Sequence, residues 1–287
     1  MSTELAVSLE NGKSLAELIG VSNSTEAATP SIARLNVNQK AIEADVEFNG
    51  KMLKDEVVPQ GAYKLTQGEN VVYAANVSIR VFAIRQQWQR WNGDTEEMEK
   101  SVLSTGLNGD LKDSIGGFNL GRPSGYIEDF NALPDTTKAL IRSVKRVKVY
   151  FGLVTLTNPV DADGNALDAD TYVDVPFVFD VKNRDSLKAL DACMNKISKK
   201  NLLPIMHTID LSPAVGSIPT GATFGYVAAA LGQKVELSEE DNDTIKNFLE
   251  FIEYVNGTIL DKHEERSSDS LTAEDAALVA NIIEVEE

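Results

Sequence analysis

Two stretches of the chain alternate apolar and polar residues with the period of a strand. From Asn76 to Arg85, Val77, Ile79, Val81 and Ala83 take alternate positions, and strand side chains alternate between faces, so these four predict one apolar row. The same parity puts Asn76, Ser78, Arg80, Phe82, Gln86, Trp88 and Arg90 on the opposite face, if the strand runs on through Gln86-Gln87-Trp88-Gln89-Arg90-Trp91. Trp91 has the other parity and reads as core-facing or as a bend. In the second stretch, Val144 to Leu153, Val147, Val149, Phe151 and Leu153 form the core row, while Arg146, Lys148 and Tyr150 share the other face.

Around these two strands the pattern is short and strand-like. Ile32–Val37, Val57–Leu65 and Val71–Arg85 read as strands, with turns at Asn49-Gly50 and Gln67-Gly68. A return strand near Tyr172–Val181 follows a hairpin-like turn at Asp161–Asn165, and Leu203–Leu211 and Phe224–Leu237 are further strands. Two helices are predicted within the sheet region. One runs from Pro134 to Arg142 with proline in its first turn; the other runs from Asp185 to Lys200, with Leu187, Leu190, Met194 and Ile197 on one side. After Ser238-Glu239-Glu240-Asp241, a helix start, an apolar stripe of Ile245, Phe248, Leu249, Ile252, Val255 and Ile259 predicts a C-terminal helix. This stripe is a candidate surface for self-association. The resulting division is a flexible arm over residues 1–30, a body over 31–237 interrupted by an insertion at 92–143, a helix over 238–266 and an acidic tail over 267–287.

Charge changes the picture. The chain of 287 residues has a net charge of −17, which at first disfavours a polyanionic partner. The charge is uneven: residues 71–213 hold seventeen basic and eighteen acidic side chains, whereas residues 214–287 hold four and sixteen. The middle is therefore near neutral with local basic rows, and the acidic end can compete with phosphates for them. No apolar run approaches the ~18–20 residues of a membrane span, and no basic segment followed by an apolar one marks a secretory signal. With Cys193 as the single cysteine, an internal disulfide and a multi-cysteine metal site are excluded, and a cytoplasmic setting is expected.

Candidate chemistry is sparse. Asn11-Gly12-Lys13-Ser14 resembles the end of a phosphate-binding loop, but Val7 stands where the leading glycine belongs, so it is rejected. Asp161, Asp163, Asn165, Asp168 and Asp170 could gather calcium ligands, yet Gly164 is misplaced and no Glu closes the loop; a solvated turn is the better reading. His207 and His263 are the two histidines, which leaves nucleophilic catalysis without support, and 44 acids make chance carboxylate pairs inevitable. No cofactor is expected, and no enzyme. The run Gly116-Gly117-Phe118-Asn119-Leu120-Gly121-Arg122-Pro123-Ser124-Gly125 reads first as a flexible surface loop, or else as a loop lying against a nucleic-acid backbone with Arg122 on a phosphate.

Short strands, a basic and aromatic face, a late helix and an acidic end predict a mainly β fold with added helices, an elaborated OB-fold-like barrel with a C-terminal helical and acidic region. The whole chain resembles phage-encoded single-stranded DNA-binding proteins. The likeness rests on Arg80 with Phe82, Trp88-Gln89-Arg90-Trp91, the glycine-rich insertion, Lys145-Arg146-Val147-Lys148-Val149-Tyr150 and the acidic C-terminus. It implies a body that covers single strands in replication and recombination and a tail that contacts replication proteins. Two features depart from the family: the chain ends Val285-Glu286-Glu287 without a terminal aromatic, and a single cysteine cannot supply a cysteine-ligated zinc. In physical terms, Arg80, Arg85, Arg90, Arg122, Lys145, Arg146 and Lys148 are expected on phosphates and Phe82, Trp88 and Tyr150 on bases. The rival expectation is a virion or assembly protein that uses the same face against another protein.

Overall fold

The computed structural model describes residues 32–48 and 51–269. Its strands are β1 (Ala33–Val37), β2 (Ile42–Phe48), β3 (Lys51–Val58), β4 (Tyr63–Gln67), β5 (Asn70–Ala74), β6 (Asn76–Asn92), β7 (Glu97–Lys100), β8 (Lys145–Thr157), β9 (Val175–Val181), β10 (His207–Ser217) and β11 (Thr223–Lys234). Its α-helices are α1 (Asp135–Ser143), α2 (Arg184–Ser198) and α3 (Glu239–Asp269). The expected N-terminal arm, the Asn11–Ser14 segment, the turn residues Asn49-Gly50 and the tail from Ser270 lie outside the described residues.

The fold is mainly β, as expected, with a large mixed sheet and a C-terminal helix. The strand order is β11-β10-β6-β8-β9-β1-β4-β5, with β7 folded back on the end of β6 and β2–β3 as a separate hairpin. One pair, β1 with β9, is parallel. The sheet curls until its ends approach: the Tyr63 hydroxyl of β4 donates to the Ser212 carbonyl of β10 at 3.1 Å. The Gln39 amide donates to the Gly225 carbonyl and accepts from its N–H, each at 3.2 Å. Gly225 is required at this seam, because an added Cβ would fall 2.9 Å from the Cα of Gly61 and the carbonyl of Asn38. No ladder joins β5 to β11, so closure into a barrel is not found.

Two cores flank this curled sheet. The inner one packs Ile79, Tyr150 and Phe177 from the strands against Leu190, Cys193 and Ile197 of α2. Helix α2 starts where Asn183 accepts from the N–H groups of Asp185 and Ser186. The outer core packs Val147, Val149 and Phe151 of β8 against Phe248 and Ile252 of α3, with Phe82 beside them. The central strand β8 is thus buried on both faces, whereas the sequence reading gave it one solvent face. The same packing corrects the expected self-association stripe: Phe248, Ile252 and Ile259 are covered by the chain's own strands and insertion.

Strand β6 carries a bulge. Its pairing with β8 jumps from Val81↔Gly152 to Ala83↔Phe151, leaving Phe82 as the extra residue. Before the bulge, odd-numbered residues face the inner core; after it, even-numbered ones do, with Ile84 across from Tyr150 and Trp88 across from Arg146.

Several boundaries differ from expectation. Val57–Leu65 is not one strand, because Pro59 and the positive-φ Gly61 turn the chain between β3 and β4. Residues Ala169–Tyr172 and Pro204–Met206 form 3-10 turns ahead of β9 and β10. Strand β2 and most of β3 are not predicted on either side of Asn49-Gly50, since Ile42-Glu43-Ala44-Asp45-Val46-Glu47 offers little apolar surface to signal a strand. Helix α1, by contrast, follows directly on Pro134 as the sequence predicts.

Candidate nucleic-acid interface

The predicted site residues do not share one surface. The bulge at Phe82 leaves Arg80 and Arg85 on the α3 side of the sheet and turns Trp88 to the other, which it shares with Arg146, Lys148 and Tyr150 of β8.

On the α3 side the expected open face is corrected by the helix. Arg80 donates from Nε to the Ile205 carbonyl at 2.6 Å and from Nη1 and Nη2 to the Asp241 carboxylate at 2.8 and 2.7 Å. Its guanidinium also lies 5.1 Å from the centre of the Phe82 ring. That ring packs 5.9 Å from Phe248 of α3. Neither residue is presented to a ligand. Asp241 belongs to the first turn of α3, where its carboxylate also accepts from the Ser238 N–H at 2.8 Å. Burial pushes the Asp241 carboxyl up, but the Arg80 and Ser238 hydrogen bonds outweigh it and hold it below its ordinary value. Arg85 donates to the Ile84 carbonyl at 2.9 Å.

On the other side, Tyr150 is fully buried in the inner core. The expectation that it stacks on bases is corrected: α2 covers that part of the sheet. Its hydroxyl is buried with no hydrogen-bond partner, and burial pushes its pKa up. Removing an unpartnered buried hydroxyl relieves desolvation, so Tyr150→Phe is expected to leave stability unchanged or raise it by up to about 1 kcal/mol. Thermal unfolding checks this; a loss of more than about 1 kcal/mol would show that the hydroxyl has a partner. Lys148 is paired with Asp191 of α2 at 2.5 Å. Arg90 is paired with Glu99 at 2.6 Å, and Glu99 also accepts from Asn92.

What stays open is an edge beyond the cover of α2. Arg122 lays its guanidinium 4.7 Å from the centre of the Trp88 ring. Its Nε is buried without a partner, and burial pushes its pKa down. Arg146, across the ladder from Trp88, is exposed, and so is Lys145, whose amine donates to the Arg142 carbonyl. Arg142, in the last turn of α1, lies 5.4 Å from the centre of the Phe130 ring. Helix α1 is held beside this edge by Leu140, which sits 3.2 Å from where a Cβ on Gly121 would be; the positive φ of Gly121 turns the chain there. Arg122, Arg142, Lys145 and Arg146 have no acidic partner within ion-pair distance among the described residues. Sequence reasoning missed Arg142, although a helix predicted to end there, three residues before Lys145-Arg146, was the available signal.

The first half of the glycine-rich run is not a free loop. The buried Asp113 carboxylate accepts from the N–H groups of Ile115, Gly117 and Leu120, at 3.1, 2.9 and 2.7 Å. Helix α3 docks on it as well: His263 contacts the Asp113 carbonyl through Nδ1 at 3.2 Å, and Arg266 donates to the Ser114 carbonyl at 2.9 Å. An added Cβ on Gly116 would meet the Ser267 nitrogen at 2.8 Å, so glycine allows the helix to approach. In the Asp161 turn, the carboxylate accepts from Asn165 through both its side chain and its backbone, and from the Asp163 N–H. The Asn165 hydrogen bonds hold its pKa below the ordinary value.

Among the described residues no helix is long and apolar enough to cross a membrane. Comparison with protein-family models, curated proteins and solved structures finds no match to this chain.

Proposed function

We propose that the chain is a non-catalytic, sequence-tolerant binder of single-stranded DNA that holds the strand along the edge formed by Trp88, Arg122, Arg142, Lys145 and Arg146. The observation that carries this reading is a set of cations left without carboxylate partners beside an aromatic ring, in a chain of net charge −17. Arg80, Arg90 and Lys148, by contrast, are each held by a carboxylate of the chain itself. A base would stack on the outer face of the Arg122 guanidinium, whose inner face rests on Trp88, while Lys145 and Arg146 take phosphates. The exposed acids of α3, among them Asp243, Glu250 and Glu253, repel a strand from the opposite side of the sheet. In this reading the curled, open sheet takes the part that an OB barrel plays elsewhere. The acidic end contacts other replication or recombination proteins, as its likeness to phage proteins implies.

The test is a titration of labelled thirty-base oligo-dT at low and moderate salt, beside a duplex of equal length. Single strands are expected to bind in preference to duplex, with affinity falling as salt rises. Arg122→Gln with Arg146→Gln should weaken binding at least tenfold and reduce the salt slope by roughly 1.4, the counterion release of two single-strand phosphates. No binding at low salt, even with residues 270–287 deleted, sinks the reading and leaves the assembly-protein alternative in its place.

A further inference from the structure

Lys100 ends β7 across the ladder from Gln89, on the side of the sheet that α3 covers. Among the described residues its ammonium has no ion pair and donates no hydrogen bond. Its charged neighbours are the carboxylate of Asp180 and three cations, Arg34, Lys182 and Lys262. The nearby carboxylate, Asp180, already accepts from Arg34 at 3.2 Å and from Gln89 at 3.3 Å. Burial first, and then these like charges, hold the Lys100 pKa below its ordinary value against the pull of Asp180. Beside Lys100, between β7 and α3, is a cavity of about 350 Å³ whose walls include Ser114, Thr258, Lys262 and Arg266. Glu97 at the same cavity is engaged with Arg266 at 3.5 Å.

We propose that this cavity is a binding site for a phosphate-bearing anion, held by Lys100 and Lys262 with the Ser114 hydroxyl as a further donor. A half-buried lysine among other cations is costly unless an anion completes it, and an ammonium is a compact point charge suited to phosphate. The volume lies in the range of small-ligand pockets. The site is on the opposite side of the sheet from Trp88 and stands independently of the strand-binding edge. The phosphate can belong to a nucleic-acid backbone or to a free phosphate compound.

The test is isothermal titration of the full chain with inorganic pyrophosphate at low ionic strength. The unaltered chain is expected to bind one equivalent, and Lys100→Gln and Lys262→Gln to bind at least tenfold more weakly. The Arg122→Gln/Arg146→Gln chain should bind as the unaltered one does. Lys262 is exposed, so its substitution keeps the test open if Lys100→Gln fails to fold. Absence of binding, or undiminished affinity in Lys262→Gln, overturns the site. Adding oligo-dT then separates the sources: displacement of pyrophosphate points to a strand phosphate, persistence to a free phosphate compound, and the site stands in both cases.

Discussion

Arg80→Ala is expected to destabilise the protein by about 3 kcal/mol, because it strands a buried carboxylate and opens the start of α3. The side chains of Arg80 and Asp241 are 13% and 7% exposed, and three hydrogen bonds end on this guanidinium. The lower end of the usual range applies, since a released Asp241 can turn toward water at the helix start. Urea unfolding measures the loss, and a cost below about 1 kcal/mol would falsify the claim that this pair anchors α3. The pair also has a pH signature. Asp241 has a lower pKa folded than unfolded, so its contribution is complete above the unfolded value of roughly 3.9 and is lost as pH falls through the folded one. Acid should therefore narrow the stability gap between the unaltered chain and Arg80→Ala.

Phe248→Ala is expected to cost about 3–5 kcal/mol, the loss for a buried phenylalanine whose neighbours cannot collapse inward. The Phe248 ring lies 5.9 Å from Phe82 and 6.3 Å from Phe151, both on strands fixed in the sheet. A cavity would remain between α3 and β8. If Phe248→Ala unfolds at the same urea concentration as the unaltered chain, α3 is not a structural layer of the fold. Hydrogen exchange would then show α3 opening without the sheet.

These two residues mark how far the fold was legible in the sequence. Helix α3 is visible in its 3.6-residue stripe, and α2 in the row of Leu187, Leu190, Met194 and Ile197. Neither pattern says which surface the stripe will meet. The run Val147–Leu156 carried a clue to its own burial, since an almost unbroken apolar segment is what a strand covered on both faces needs. Strict alternation points the other way and places Tyr150 on the open face. The basic residues suffered in a different way. A charged side chain looks the same in sequence whether its partner is a phosphate or a distant carboxylate; Arg80 meets Asp241 from 161 positions away. Arg122 meets Trp88, and Arg146 lies across the ladder from that ring, because short-range features place them: a glycine turn and a ladder register.

The bulge at Phe82 works as a change of reading frame within a single strand. One additional backbone unit lets β6 supply Val77, Ile79 and Val81 to the inner core, and then turn Gln87 and Gln89 to the other side, where Gln87 bonds the Ser101 carbonyl and Gln89 bonds Gln87. Trp88 meets Arg122 only in the shifted frame. The meeting of ring and cation is therefore encoded in chain length six residues upstream, and a lineage that lost that unit would keep both residues while parting them across the sheet.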